Sequence, residues 1–141
     1  MTSKAYLDTG VLTLFLARNC PLKVQELMDN IKKAKIEGHL LAPVLTEVFL
    51  HICKLDGIDS AKISMNSLLK QYPFKIGEQD TSLIISAGIL KCQHRETLSY
   101  VDCMSIAYCL NNNCVFHTTE KKIKKIPGNT LQKLDVVKYK F

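Results

Sequence analysis

Residues 98–120 have the sequence LSYVDCMSIAYCLNNNCVFHTTE, which predicts a helix followed by a buried strand. Ser99 and Asp102 have the spacing of a capping box, in which each side chain accepts a hydrogen bond from the backbone N–H of the other residue. The apolar residues that follow recur at helical spacing. A run of asparagines then predicts a turn, and residues 114–117 predict a strand. A helix that leads into a buried strand is typical of an α/β fold.

The rest of the chain continues this alternation of short apolar strands and longer amphipathic helices. The other strands are predicted at 5–7, 39–42, 74–76 and 135–139. The other helices are predicted at 11–18, 22–36 (ending near Gly38), 43–57, 59–71 and 80–94. Strands separated by helices form βαβ units, so we expect a three-layer α/β/α sandwich with a mainly parallel central sheet. Because no linker or repeat divides the chain, we expect residues 1–141 to form a single domain.

Length and composition restrict the class of protein. Apolar residues make up 47% of the 141 residues and charged residues 23%, as in a globular domain rather than a disordered or fibrous chain. No apolar run approaches the roughly 18 residues that span a bilayer, and the first residues do not resemble a secretory signal. We therefore expect a soluble, cytoplasmic protein with no membrane partner. The six cysteines form no Cys-x-x-Cys pair, which argues against a zinc site.

The formal net charge of +6 is concentrated at the end of the chain. Residues 118–141 contain seven lysines and two acids, which sum to +5, so that residues 1–117 carry the remaining +1. A basic segment of this kind favours a polyanionic partner, most simply nucleic acid. A lysine-rich surface that contacts only water is the alternative, and charge alone does not choose between the two.

Four acidic residues lie where predicted strands lead into helices. Asp8 follows the first strand, and Glu120 follows the strand at 114–117. Glu47 and Asp102 lie near the beginnings of two helices. Because ligand sites in open parallel sheets form beyond the carboxyl ends of the strands, we expect these side chains to converge there. Clustered carboxylates repel one another unless hard cations such as Mg²⁺ or Mn²⁺ neutralise them. Capping of a helix is the alternative for Asp8, Asp102 or Glu120 taken alone, whereas the apolar neighbours of Glu47 leave it fewer structural roles.

The order of these motifs resembles the PIN domain family. The elements that carry the resemblance are a strand followed by Asp8-Thr9, a helical Glu47, the segment Leu98–Tyr108, and Thr118-Thr119-Glu120. The spacing from Asp102, sixteen positions to Thr118 and eighteen to Glu120, is similar to that between the third motif of the family and its Thr-x-Asp element. The resemblance extends over essentially the whole chain, and residues 98–120 are its most specific part.

The resemblance implies a metal-dependent endoribonuclease, and small members of the family are commonly the toxin half of VapBC toxin–antitoxin pairs. The residues that it assigns to catalysis and to binding of Mg²⁺ or Mn²⁺ are Asp8, Glu47, Asp102 and Glu120. The residues that it assigns to their support are Thr9 and Thr118. The lysines expected to hold RNA phosphates beside the acids are Lys121, Lys122, Lys124 and Lys125. It also implies a homodimer, and an antitoxin protein that covers the acidic pocket.

Two departures from the family pattern keep an alternative open. Gly10 stands where members usually have Asn or Ser, and Glu120 stands where they usually have Asp. The alternative is a PIN fold used for RNA binding or assembly, with weak or lost nuclease activity. A nucleotide-binding or response-regulator-like module is a further alternative, but the sequence contains no glycine-rich phosphate loop.

Overall fold

Five parallel strands form the central sheet of the computed structural model, which describes residues 2–140. The strands are β1 (Ser3–Leu7), β2 (Ile36–Leu40), β3 (Lys75–Ile76), β4 (Val115–Thr119) and β5 (Val136–Tyr139). Their order across the sheet is β3-β2-β1-β4-β5, and every neighbouring pair is parallel. The chain therefore moves outward from β1 in one direction and then crosses back to continue in the other, which places the carboxyl ends of β1 and β4 side by side.

Within the described residues 2–140, eight helices connect these strands. They are α1 (Thr9–Leu16), α2 (Leu22–Lys32), α3 (Ala42–Asp56), α4 (Ile58–Gln71), α5 (Thr81–Gln93), α6 (Tyr100–Asn112), α7 (Glu120–Ile123) and α8 (Gly128–Leu131). Crossovers between parallel strands are almost always right-handed, which places α1 to α4 on one face of the sheet and α5 and α6 on the other. The contacts agree, because α1 packs on α2 and α3, α3 packs on α4, and α5 packs on α6. The expected three-layer sandwich with a parallel sheet is thus confirmed. No helix within residues 2–140 is both long enough and apolar enough to cross a membrane.

The core lies on both sides of the central strand. Tyr6 and Leu7, which alternate across β1, are both fully buried. The Tyr6 ring contacts Tyr108 of α6 and Phe116 of β4, with ring centroids 5.5 and 5.9 Å apart. The Tyr6 hydroxyl lies 2.7 Å from the Ser105 hydroxyl, so the one polar atom of this buried ring has a partner. Strand β1 is therefore fixed in place up to the residue that follows it.

The predicted helix at 22–36 was too long. Helix α2 ends at Lys32 because Ala34 adopts the left-handed conformation, with φ 58°. The Ala34 and Lys35 N–H groups then donate to the carbonyls of Ile31 and Asn30, which is the Schellman pattern of helix termination. An alanine gives no sequence signal for this turn, which usually contains glycine.

Gly38 lies inside β2 and does not end a helix. A Cβ atom there would lie 2.9 Å from the Phe74 ring and 3.0 Å from Ile31 Cγ2, so this strand position has room only for glycine. The predicted strand at 39–42 accordingly begins earlier, at Ile36, and the short helices α7 and α8 were not predicted at all.

We expect His117 to make the protein less stable in mild acid. This side chain of β4 is buried, and its Nδ1 lies 2.8 Å from the Tyr139 hydroxyl. Burial lowers the pKa of His117 from 6.5 to about 4. Between those pH values the unfolded chain binds a proton that the folded chain excludes, so stability should fall as the pH drops from 6.5 towards 4, by at most about 1.4 kcal/mol per pH unit.

The measurement is urea unfolding across this pH range, comparing the wild type with His117→Gln. The variant keeps a polar partner for Tyr139 but cannot titrate, so its stability should depend less on pH. His51→Gln, on α3, controls for removal of a histidine that lies outside the sheet. Equal pH dependence in the wild type and His117→Gln would contradict the prediction.

Candidate active site

The carboxyl edge of the sheet carries the four acids singled out by the sequence. Asp8 directly follows β1, and Glu120 directly follows β4, the adjacent strand. Asp102 lies in the first turn of α6, and Glu47 lies in the second turn of α3. The topology therefore brings all four to one edge, but their side chains differ in burial and in contacts.

Asp8 is the most deeply buried of the acids, with 1% of its surface exposed. Its Oδ2 accepts a hydrogen bond from the Thr118 hydroxyl at 3.0 Å, whereas its buried Oδ1 has no hydrogen-bond partner among the described residues. Its side chain makes no capping hydrogen bond to α1, although its position would allow one. Burial raises the pKa of Asp8, and the nearby ammonium of Lys122 opposes that rise. Helix capping therefore does not account for this carboxylate.

Asp102 divides its two carboxylate oxygens between structure and site. The side chain is 7% exposed, and Oδ2 accepts the Ser99 N–H at 3.1 Å to complete the predicted capping box. Oδ1 pairs with the Lys122 ammonium at 2.6 Å. Capping and a role in the site are thus compatible in this residue, because each requires only one oxygen.

Lys122 is the functional candidate whose position the sequence did not predict. Its Nζ lies between two carboxylates, 2.6 Å from Asp102 Oδ1 and 3.8 Å from Asp8 Oδ2, and its side chain is 22% exposed. Burial by itself would lower the pKa of Lys122, but Asp8, Asp102 and Glu47 together raise it above its ordinary value. No signal in the lysine-rich run 121–125 distinguishes this residue from the lysines around it.

Glu47 and Glu120 lie at the border of this pocket. Glu47 is half-buried; its Oε1 accepts a hydrogen bond from the Thr9 hydroxyl at 3.2 Å, and it acts on Lys122 through its charge. The Glu120 side chain is 35% exposed, and its Oε2 lies 4.0 Å from Lys140 Nζ. The pocket is therefore formed by Asp8 and Asp102 with Glu47 nearby, while Glu120 pairs outward.

The other predicted residues surround these acids. Thr118 is fully buried and holds Asp8, and Thr9 is buried and holds Glu47. The remaining lysines assigned to RNA binding, Lys121, Lys124 and Lys125, are exposed on α7 and just beyond it. Three of the four predicted lysines thus lie on the surface beside the pocket, and the fourth lies within it.

Gly10 is explained by its contact with Thr119. A Cβ atom at position 10 would lie 2.4 Å from Thr119 Cγ2 and 2.9 Å from Thr119 Oγ1, too close for any residue but glycine. The Thr119 side chain is buried, so it cannot move aside into solvent. The space that a side chain at position 10 would fill is occupied from the adjacent strand.

The oxygen atoms of Asp8 and Asp102 have the chemistry that Mg²⁺ or Mn²⁺ requires. Two buried carboxylates are sufficient protein ligands for Mg²⁺, which usually binds one or two carboxylates and retains several waters. Among the described residues, Asp8 Oδ1 has no hydrogen-bond partner and Asp102 Oδ1 has only the Lys122 ammonium. Within residues 2–140, however, no three His, Cys, Asp or Glu side chains lie close enough together to hold an ion. The residues fit a two-carboxylate site, with Lys122 between the carboxylates as they stand.

This geometry defines a class of protein, namely an α/β fold with two paired acids at the carboxyl edge of its parallel sheet. The model of the PIN domain family matches residues 5–129. The chain therefore belongs to the PIN domain family, whose members are in general nucleases. No curated protein sequence matches it significantly.

Solved structures share the fold at low sequence identity. VapBC2 from Rickettsia felis, bound to a DNA fragment from its promoter, matches with a TM-score of 0.73 and 14% identity over 96% of this chain and 98% of that chain. VapBC-1 from nontypeable Haemophilus influenzae matches with a TM-score of 0.71 and 12% identity over 96% of this chain and 97% of that chain. A toxin–antitoxin complex from Klebsiella pneumoniae matches with a TM-score of 0.62 and 18% identity over 97% of this chain and 99% of that chain. The likeness thus extends over nearly the full length of each matched chain.

We expect Gly10→Ser to destabilise the protein through Thr119. Overpacking of this kind typically costs about 1–3 kcal/mol. The cost should be smaller in a Thr119→Ala background, because that substitution removes the two closest atoms. Urea unfolding of the two single variants and the double variant measures the coupling.

Gly88→Ser is the matched control. Gly88 also lies in a helix, but a Cβ atom there would have no neighbour within 4 Å, so the substitution should not destabilise. Strict additivity of Gly10→Ser and Thr119→Ala would show that the contact has no energetic consequence.

Proposed function

We propose that the protein is a metal-dependent endoribonuclease and the toxin component of a toxin–antitoxin pair. The observation that carries the proposal is a pair of buried carboxylates, Asp8 and Asp102, at the carboxyl edge of the sheet. The ammonium group of Lys122 forms an ion pair with both. Burial of a carboxylate costs free energy, and Asp8 does not recover that cost by capping its helix. Buried acids of this kind concentrate at functional sites.

Each acid has a distinct part in this proposal. Asp8 and Asp102 would hold Mg²⁺ or Mn²⁺, and the bound ion would lower the pKa of a water and offset charge on the reacting phosphate. Thr118 fixes the Asp8 carboxylate through its hydroxyl. Thr9 orients Glu47, whose charge acts on Lys122, and Glu47 would contribute from the border of the pocket. Glu120 would assist from the border of the pocket.

The surface around the pocket supports a polyanionic substrate. Lys121, Lys124 and Lys125 are exposed beside an acidic pocket that by itself would repel RNA. A basic border can draw in the phosphate backbone while the pocket holds cations. We therefore assign these three lysines to positioning RNA.

An antitoxin and a second copy of the chain are the proposed protein partners. Helix α5 exposes Ile84, Ile85 and Ile89, with between 53% and 63% of each residue's surface accessible. A groove of about 670 Å³ lies between α5 and α6, and contiguous apolar surface of this kind is typical of protein–protein contacts. A short reading frame immediately upstream, encoding a small protein that co-purifies with this chain, would support the toxin assignment; an isolated gene would count against it.

The second candidate function is RNA binding or assembly with weak or lost nuclease activity. It is favoured by the outward pairing of Glu120 with Lys140 and by the lack of any three-ligand cluster within residues 2–140. The cleavage assay below discriminates between the two candidates.

Removing either buried acid should slow cleavage strongly. We expect Asp8→Asn and Asp102→Asn each to lower the rate of RNA cleavage with Mn²⁺ or Mg²⁺ by about 100-fold or more, because a bound ion contributes several kcal/mol to such a reaction. Glu120→Gln should have a smaller effect. Asp59→Asn, an exposed acid on α4, is the matched control and should cleave like the wild type.

Chelation with EDTA should have the same effect as the two substitutions. Equal cleavage by the wild type, Asp8→Asn and Asp102→Asn would indicate a contaminating nuclease. RNA binding without any metal-dependent cleavage would favour the second candidate.

Charge reversal of the surface lysines should weaken RNA binding and its dependence on salt. Lys124→Glu/Lys125→Glu removes two phosphate contacts, so the slope of log K against log salt should fall by about 1.4, at roughly 0.7 per contact for single strands. Binding is measured in an Asp8→Asn background, which leaves the RNA intact.

Lys33→Glu/Lys35→Glu makes the same change in charge just before β2 begins, at the amino ends of the strands and away from the pocket. This control should retain the wild-type slope. If both pairs change the slope equally, the effect is one of net charge and the assignment of Lys124 and Lys125 is wrong.

A further inference from the structure

Lys122 occupies an unusual place for a lysine in a surface run. Its neighbours Lys121 and Lys124 are exposed, whereas its own side chain is mostly buried and ends between two carboxylates. The distances of 2.6 and 3.8 Å from Nζ to Asp102 Oδ1 and Asp8 Oδ2 make it an ion-pair partner of both. A flexible lysine gives up rotamer freedom to lie there, so the contact must offset that cost.

The contact answers an electrostatic need of the fold. Two carboxylates that are 1% and 7% exposed cannot both remain ionised cheaply without a compensating charge. The Thr118 hydroxyl and the Ser99 N–H each satisfy one oxygen, but neither carries a charge. Lys122 supplies the positive charge from within the chain.

The position that Lys122 holds is one from which a divalent cation could contact both carboxylates. Mg²⁺ binds carboxylate oxygens at about 2.0–2.1 Å, so an ion and an ammonium group cannot both lie between the same two oxygens. The ammonium brings one charge to two carboxylates, whereas a divalent ion brings two. The two cations are therefore alternatives at this position.

We propose that the Lys122 ammonium is a built-in counter-ion of Asp8 and Asp102, and that a divalent cation must displace it to bind between them. This inference rests on the metal binding included in the proposed function. Displacement costs the ion-pair energy, so Lys122 lowers the apparent affinity for metal in the same way that any competing state does. Occupancy of the site then depends on the concentration of free divalent ion, and the lysine keeps the acidic pair compensated below that concentration.

The test is calorimetric titration of the full chain with Mn²⁺ alone, in the absence of RNA. Lys122→Met removes the charge and retains much of the apolar stem, and we expect it to bind Mn²⁺ at least tenfold more tightly than the wild type, which corresponds to about 1.4 kcal/mol. Lys122→Arg retains the charge and should keep an affinity close to that of the wild type. Lys124→Met makes the same change in net charge at an exposed neighbour and should alter the affinity little.

Thermal melting provides a second readout that does not depend on activity. In EDTA, Lys122→Met should melt at a lower temperature than the wild type, because two buried carboxylates lose their counter-charge. Added Mn²⁺ should raise its melting temperature by more than it raises that of the wild type. If Lys122→Met does not fold in EDTA but folds with Mn²⁺, that rescue supports the proposal equally.

The outcomes separate this inference from the proposed function. Equal Mn²⁺ affinity in the wild type and Lys122→Met, or weaker affinity in the variant, overturns the displacement of Lys122 and leaves metal binding in place. The absence of Mn²⁺ binding in both proteins overturns the inference and the metal dependence together. Tighter binding in Lys124→Met that matches Lys122→Met also overturns the inference, because the effect is then one of net charge.

Discussion

The buried carboxylate of Asp8 is the constraint on which the rest of the site depends. It directly follows β1, the central strand, whose last three residues are buried, so the acid cannot turn towards solvent. An isolated charge in such a position would be very costly, and the fold compensates it with the Thr118 hydroxyl from the next strand and the Lys122 ammonium from α7. The strand order that places β4 beside β1 is therefore also what makes this acid tolerable.

The conflict between capping and function has different solutions at the two buried acids. Asp102 completes a capping box with one oxygen and contacts Lys122 with the other, so the fold and the site share it. Asp8 occupies the N-cap position of α1 but makes no capping hydrogen bond, so its burial has no such structural benefit. Both acids lie at helix N-termini, yet only Asp102 caps its helix, because only its carboxylate oxygen is oriented towards the backbone N–H.

Sequence reasoning predicts what depends on local pattern and misses what depends on packing between distant segments. The layers, the parallel sheet and the cap at Ser99 follow from periodicity and spacing over a few residues. The end of α2 was missed because Ala34 takes the left-handed conformation usually given to glycine. Gly38 was misassigned because its role is set by Phe74, 36 positions away. The place of Lys122 was missed for a similar reason, since only the folded α7 turns one lysine of the run inward.

The two departures from the family pattern have unequal physical weight. Gly10 is matched by Thr119, whose buried side chain fills the space that a residue at position 10 would need, so the substitution is compensated locally. Glu120 is not compensated in this way, because its longer side chain pairs outward with Lys140 and leaves the pocket with fewer negative charges. A pocket of two buried acids, with Glu47 at its border and a lysine inside it, has a different charge balance from a pocket of four acids, even though the sequence contains all four. The number of acids in the motif therefore does not determine the net charge of the pocket. Lys122 lowers the negative charge of the pocket by one, because its ammonium pairs with Asp8 and Asp102.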